Sequence, residues 1–277
     1  MKTIFLDVDG TLVNFVGQIP GSARQAIQEA REIGHRVFLC TGRSLPELWP
    51  EILEIGFDGL IAGSGAYVQV GEDILVHRAL SLDDIAHVQD FFAANGIDYF
   101  LQADDGIYAP PGLPAHLGRL IRASVTDDDL FAELERGLFN FIHSIRPIAQ
   151  PMTLKVTKII YVDSPLSLDE IRTEFDTLDV IPSSVSVFGA NSGEMSGAGV
   201  HKASGIDAVL EHLKIDPADT LAIGDSHNDI EMLAHVAVGI AMGDAPEEVR
   251  KVADELTAGV DQDGVFTAFR RHGLLRA

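Results

Sequence analysis

The residues able to do chemistry follow directly after short apolar runs. Asp7-Val8-Asp9-Gly10-Thr11 comes after Thr3-Ile4-Phe5-Leu6, and a spacing of two sends both carboxylates to one side if the extended geometry persists. One acid can then attack while the other handles protons. Asp9-Gly10 is equally the commonest two-residue hairpin turn signal. Far along the chain Asp225, Asn228 and Asp229 follow Thr220-Leu221-Ala222-Ile223. Asp225 also reads as a residue near the cap of the next helix, with Ser226 the competing cap. Three carboxylates meeting at one sheet edge cost stability unless a hard cation lies among them. Magnesium, which takes a few oxygen ligands plus substrate phosphate, suits two carboxylates and a backbone carbonyl.

Two further segments could meet an anion. Thr41-Gly42-Arg43, after Arg36-Val37-Phe38-Leu39-Cys40, offers a hydroxyl, a glycine that lets backbone amides approach and a guanidinium. A plain loop with a surface arginine is the alternative. Lys202 stands in the first turn of the helix carrying Ile206, Val209, Leu210 and Leu213, where a cation opposes the helix dipole. A nearby anion explains it, and so does a tolerated surface lysine. Gly197 to Lys202 lacks the glycine immediately before the lysine that a nucleotide-binding P-loop requires. No His-Glu-x-x-His pattern supports zinc, and Cys40, inside an apolar run, reads as a small buried hydrophobe.

These residues need a scaffold that gathers the ends of several strands. Apolar runs without polar alternation, at Thr3–Leu6, Arg36–Cys40, Gly59–Ala62, Thr220–Ile223 and Ala237–Ala241, read as buried parallel strands alternating with helices. Ser22 with Gln25, Ser44 with Glu47 and Ser226 with Asp229 mark helix starts. An open sheet of this kind binds ligands beyond the carboxyl ends of its strands, where Asp7, Asp9, Thr41-Gly42-Arg43, Ser64-Gly65, Asp225, Asn228 and Asp229 all fall. Between about Ser81 and Gly189 the style changes. Aromatics concentrate there, from Phe91 to Phe141, and prolines cluster at Pro110, Pro111 and Pro114. We expect strands at Ile97–Gln102, Thr157–Val162 and Val185–Phe188, and helices at Leu82–Ala94, Leu113–Ala123 and Ser167–Phe175. The fold class is therefore α/β: a doubly wound parallel-sheet core from residues 1–80 and 190–277, interrupted by an α/β cap over residues 81–189.

Composition narrows the partners. The 277 residues are 46% hydrophobic and 22% charged, enough for a packed core and against disorder. Twenty basic against 42 acidic side chains give a net charge of −22, which repels nucleic acid and anionic bilayers, so an anionic substrate needs a local cluster of cations. One cysteine excludes an internal disulfide; Met1-Lys2-Thr3-Ile4 lacks the basic stretch and apolar run expected of a signal peptide, and no uncharged run reaches membrane length. A cytoplasmic location is expected; oligomeric state is not legible.

Taken in order and spacing, Asp7-Val8-Asp9-Gly10-Thr11, Thr41-Gly42-Arg43, Lys202 and Gly224 to Leu233 resemble the haloacid dehalogenase superfamily of phosphatases. Ala241-Met242-Gly243-Asp244-Ala245 and the segment through Asp263-Gly264-Val265 look like its Cof-type branch with a class IIB cap. The resemblance implies Asp7 as nucleophile, forming an aspartyl-phosphate, and Asp9 as acid toward the leaving oxygen and then base toward water. It implies Mg2+ held by Asp7, the backbone carbonyl of Asp9, and Asp225, with Asp229 supporting the ligands without binding the ion. Thr41, Gly42, Arg43, Lys202 and Asn228 would bind phosphoryl oxygens or substrate. Asp9, absent from the pumps and dehalogenases of the superfamily, implies hydrolysis or transfer of a phosphate ester. Ser64-Gly65-Ala66 departs from the Asn-Gly-Ala usual in the branch, and Ala203 from a common glycine. The expected activity is Mg-dependent hydrolysis of a small phosphorylated metabolite, a sugar phosphate or phosphorylated cofactor. The alternatives are a phosphosugar mutase and a non-catalytic phosphometabolite-binding regulator.

Overall fold

A computed structural model describes residues 1–137, 139–148 and 153–276. Its strands, in chain order, are β1 (Thr3–Leu6), β2 (Arg36–Cys40), β3 (Gly59–Ala62), β4 (Tyr67–Val70), β5 (Asp73–His77), β6 (Asp98–Ala103), β7 (Gly106–Ala109), β8 (Arg146–Pro147), β9 (Val156–Val162), β10 (Leu178–Pro182), β11 (Gly193–Gly197), β12 (Thr220–Gly224), β13 (Val238–Ala241) and β14 (Glu255–Leu256). They form two sheets, β14-β13-β12-β1-β2-β3-β4-β5 and β10-β11-β9-β6-β7-β8. The chain divides into two compact units: residues 1–43, 48–77 and 201–277, and residues 44–47 and 78–200.

In the first unit six strands, β14 to β3, run parallel, and β4 and β5 add an antiparallel edge. The central strands are apolar throughout because both faces are covered. Ile4, Leu6, Val37, Leu39, Leu221 and Ile223 pack on Ala23, Ala26, Ile27 and Ala30 of the helix Gly21–Glu32 and on Phe269. The residues between them, Phe5, Phe38, Cys40 and Ala222, meet Ile206, Val209 and Leu210 of the helix Lys202–Leu213, and Met232 and Leu233. Alternate residues thus enter opposite layers, the signature of a doubly wound sheet. This register sets the carboxyl ends of β1, β2, β3 and β12 side by side.

The second unit is built on a sheet in which, among the described residues, the edge pair β7–β8 is parallel and the other pairs are antiparallel. One face, with Tyr99, Leu101, Ile159, Tyr161 and Met195, packs on Ile85, Val88 and Phe92 of the helix Leu82–Asn95 and on Ile171 and Phe175. The other, with Phe100, Ile107, Ile160 and Val162, packs on Leu113, Leu117 and Ile121 of the helix Leu113–Ser124 and on Phe139 and Phe188.

Several local expectations change. The expected strand at Val185–Phe188 is a 3-10 turn, Ser186–Phe188. Ser183 Oγ accepts from the Val185 N–H at 3.1 Å and the Phe188 N–H bonds back to Val185, turning the segment so that Phe188 joins the aromatic layer. Strand β11 follows instead, and it carries the second unit beyond residue 189, to Val200. Ser44 opens no long helix: Pro46 and Pro50 withhold the N–H groups that would continue one, leaving a 3-10 turn at Leu45–Glu47 and a short helix Pro50–Leu53. Ser22 lies inside its helix rather than capping it, and its hydroxyl donates to Asp263.

Candidate active site

The first unit gathers Asp7, Asp9, Thr41, Gly42, Arg43, Lys202, Asp225, Asn228 and Asp229 on its own elements. Asp7 extends β1 by one further ladder bond, its N–H donating to Ile223 of β12 at 3.0 Å. After it the chain curls: the N–H groups of Leu12 and Val13 both bond to the Val8 carbonyl, and Gly10 returns a bond to Val13. Gly10 sits at φ +81°, and a β-carbon there would lie 2.3 Å from Asp225 Oδ2. Glycine is what lets the Asp225 carboxylate approach this turn. Thr11 Oγ1 then donates to Asp225 Oδ1 at 2.8 Å.

Lys202 is fully buried at the first position of its helix. His201 and Ser204 fix that start reciprocally, Ser204 N–H to His201 Nδ1 and His201 N–H to Ser204 Oγ, both at 3.2 Å. Its Nζ donates to Asp7 Oδ1 and to Asp229 Oδ1, each at 2.6 Å. The other oxygen of Asp229 accepts the backbone N–H groups of Asp225 and Ser226, each at 3.0 Å, closing the expected capping box. Asp229 therefore has both oxygens engaged in holding Lys202 and the Asp225 turn. A β-carbon on Gly224 would lie 2.4 Å from the Asp229 carboxyl carbon, so this loop too depends on glycine.

The electrostatics are those of an anionic cluster with one cation. Burial pushes the Asp7 carboxyl up to about 7, the Asp229 carboxylate adds to this, and Lys202 opposes it. Asp225 is raised well above the ordinary carboxylate range, by burial first and then by Asp7 and Asp229. Burial alone would lower Lys202, but Asp229 and Asp7 outweigh it and hold the ammonium strongly protonated. Ligand oxygens of Asp7, Asp225 and Asp229 lie within 4.8 Å of one another, a group that could hold a metal ion. Three carboxylates against one ammonium leave two negative charges, which a divalent cation would neutralise.

The second anchor is less expected. Arg43 is buried, and its Nε and Nη2 clamp Asp9 at 2.8 and 2.6 Å while its guanidinium lies 4.2 Å over the Trp49 ring. The sequence marks Arg43 as a residue for an anion; in the structure that anion is Asp9. Thr11 stands in the first motif but with no role read from it, and Trp49 stands in no motif that would single it out. Thr41 is fully buried, its Oγ1 accepting from the Arg43 N–H at 3.1 Å and its carbonyl from the Ser64 N–H at 3.0 Å. Ser64 adopts φ +55°, a left-handed conformation that asparagine takes more readily, and its Oγ is buried without a partner. Asn228, nearly buried, accepts from Ser226 Oγ at 3.1 Å.

The comparisons with known proteins point to one family. The family pattern of haloacid dehalogenase-like hydrolases matches residues 4–269. The chain belongs to the haloacid dehalogenase-like hydrolases. It is of the Cof type and is a phosphoric monoester hydrolase of that family. It is 30% identical to the Bacillus subtilis protein named Putative phosphatase YkrA, with 99% of each chain covered. It is 26% identical to the Bacillus subtilis 5-amino-6-(5-phospho-D-ribitylamino)uracil phosphatase YcsE, covering 98% of this chain and 95% of that one. Among solved structures, the HAD subclass IIB sugar phosphatase BT4131 superposes with a TM-score of 0.79 at 25% identity, over 99% of this chain and all of that one. No helix of the described residues of this hydrolase is long and apolar enough to cross a membrane.

Proposed function

We infer that the protein is a Mg2+-dependent phosphatase of small phosphorylated metabolites that works through an aspartyl-phosphate on Asp7. The observation that carries this reading is the position of Asp7: it ends β1 with one oxygen on buried Lys202 and faces Asp225 within the carboxylate cluster. Asp7 attacks phosphorus, the bond to the leaving oxygen breaks, and Asp9 gives that oxygen a proton. Asp9 then takes a proton from water as the water attacks the acyl-phosphate, releasing phosphate and restoring Asp7. Both Asp9 oxygens are bonded to Arg43, so the acid reaches a leaving group by exchanging one of those bonds. Lys202, Thr41 and Asn228 would meet phosphoryl oxygens, while Arg43 orients Asp9. Asp7, the Asp9 carbonyl and Asp225 would hold Mg2+, which would supply charge neutralisation at the phosphoryl group. The paired commitments of Asp229 support its role as a brace.

Burial pushes the Cys40 thiol far up and keeps it out of this chemistry, and a chain with a single cysteine fits a reducing, cytoplasmic setting. A panel of phosphorylated metabolites, assayed for phosphate release with Mg2+ or chelator, tests the reading. Release that requires Mg2+ and disappears in Asp7→Asn is expected. Release that survives the substitution, or isomerisation of a sugar phosphate without free phosphate, would overturn it.

A further inference from the structure

Trp49 is the single tryptophan of the chain, and the reaction above does not use it. It belongs to the first unit, as do Asp9 and Arg43. Its backbone is fixed twice. Pro50 restricts the residue before it to extended dihedrals, and Trp49 sits there at φ −71° and ψ 150°. Its carbonyl then accepts the Ile52 N–H at 3.1 Å, opening the short helix Pro50–Leu53. The indole is partly buried against the apolar layer that includes Val8, Leu12 and Val13.

Arg43 joins this ring to Asp9. Its backbone is held on both sides, the N–H by Thr41 Oγ1 at 3.1 Å and the carbonyl by the Gly63 N–H at 2.8 Å. The guanidinium carbon stands 4.2 Å from the ring centroid, while Nε and Nη2 reach Oδ2 and Oδ1 of Asp9 at 2.8 and 2.6 Å. Those N–H groups lie in the guanidinium plane, so the orientation of the plane decides where the Asp9 oxygens are held. Two hydrogen bonds alone let both partners swing together; a ring face beneath the guanidinium removes that freedom. The Arg43 side chain is 9% exposed and that of Asp9 41%, so the backed end of the pair is buried and the carboxyl end is open. Any apolar side chain would serve for packing alone, but a flat face against a cation needs an aromatic one.

We propose that Trp49 is a positioning residue for the acid: its ring face fixes the plane of the Arg43 guanidinium, and through that plane the direction in which the Asp9 carboxyl is presented. This rests on the phosphatase reading above, in which Asp9 protonates the leaving oxygen. Phenyl phosphate and para-nitrophenyl phosphate test it, because the two have nearly the same shape while phenoxide, the more basic leaving group, depends more on a donated proton. Trp49→Phe keeps a ring face, and Trp49→Leu keeps only apolar bulk. In Trp49→Leu the ratio of kcat/KM for phenyl phosphate to that for para-nitrophenyl phosphate is expected to fall roughly tenfold, and in Trp49→Phe to stay close to wild type. An unchanged ratio in Trp49→Leu, with both esters retained or both lowered alike, overturns the proposal and leaves Trp49 a packing residue. A ratio that falls equally in Trp49→Phe overturns it too, since the ring face would then not be what acts.

A second measurement needs no turnover and no change at Trp49. As the chain has no other tryptophan, acrylamide quenching of its fluorescence reads the cover over this one ring. Asp9→Ala removes the two oxygens that hold Nε and Nη2 of Arg43, and the quenching constant is expected to rise while far-ultraviolet circular dichroism stays unchanged. A constant that keeps its wild-type value shows that Asp9 and the stacked ring are not coupled, and overturns the proposal even if Trp49→Leu folds poorly. If wild type cleaves neither ester, the phosphatase reading falls, and a raised constant in Asp9→Ala still sustains the coupling of Trp49 to Asp9 through Arg43.

Discussion

Lys202 is the residue on which the site's charge balance turns. Lys202→Met removes both 2.6 Å bonds and leaves Asp7 and Asp229 buried without their cation. Breaking such a pair costs about 3–5 kcal/mol, which denaturant unfolding in chelator should show, together with a loss of activity that Lys202→Arg does not restore. Arg43→Lys loses the two-pronged hold on Asp9 and the stacking on Trp49, so we expect kcat to fall with little change in KM for a phosphorylated substrate. Asp7 gives a pH signature. Its folded value near 7 lies above the ordinary 3.8, so between these limits the native state binds more proton than the unfolded chain and stability falls as pH rises. In chelator, wild type should lose about 2 kcal/mol relative to Asp7→Asn between pH 5 and 7; parallel stability curves for the two proteins would contradict this. The acids and Lys202 were readable because each follows an apolar run or opens a helix. The Arg43–Asp9 clamp was not, since it depends on two loops that only the pairing of β1 with β2 brings together.

At the scale of elements, the site depends on turns tight enough to bring carboxylates together. Gly10→Ala would place a methyl group on Asp225 at a left-handed position, so it should raise the Mg2+ concentration for half-maximal activity roughly tenfold or more while leaving far-ultraviolet circular dichroism unchanged. Unaltered metal dependence would show that Asp225 is not where the turn places it. Strands β1, β2, β3 and β12 were legible because burial on both faces makes them apolar throughout. Strand β11 was hidden: Gly193-Glu194-Met195-Ser196-Gly197 has a glycine at each end and only one large apolar side chain. Val185–Phe188 misled for the converse reason, its apolar residues being buried through a 3-10 turn rather than a pleat. The hairpin β4–β5 also escaped, because Ile74 and Leu75 at an edge carry no clear alternation.

Across the whole molecule, a net charge of −22 sets the background against which an anionic substrate is bound. The buried cation beside Asp7 opposes that field locally, and a divalent ion held by the carboxylate cluster would offset the two negative charges that remain. Mg2+ at about a hundredfold excess over its Kd should stabilise the fold by about 2.7 kcal/mol, read as a rise in Tm that Asp225→Ala abolishes; an equal rise in that variant would place the ion elsewhere. The covalent chemistry is tested most directly by trapping. Substrate turnover is quenched with borohydride, which reduces an acyl-phosphate to the alcohol, and the peptides are sequenced by mass spectrometry. Homoserine at position 7, formed only with both substrate and Mg2+ and absent from Asp7→Asn, is the expected result. Turnover with position 7 unmodified, or with the label on another carboxylate, would contradict Asp7 as the nucleophile.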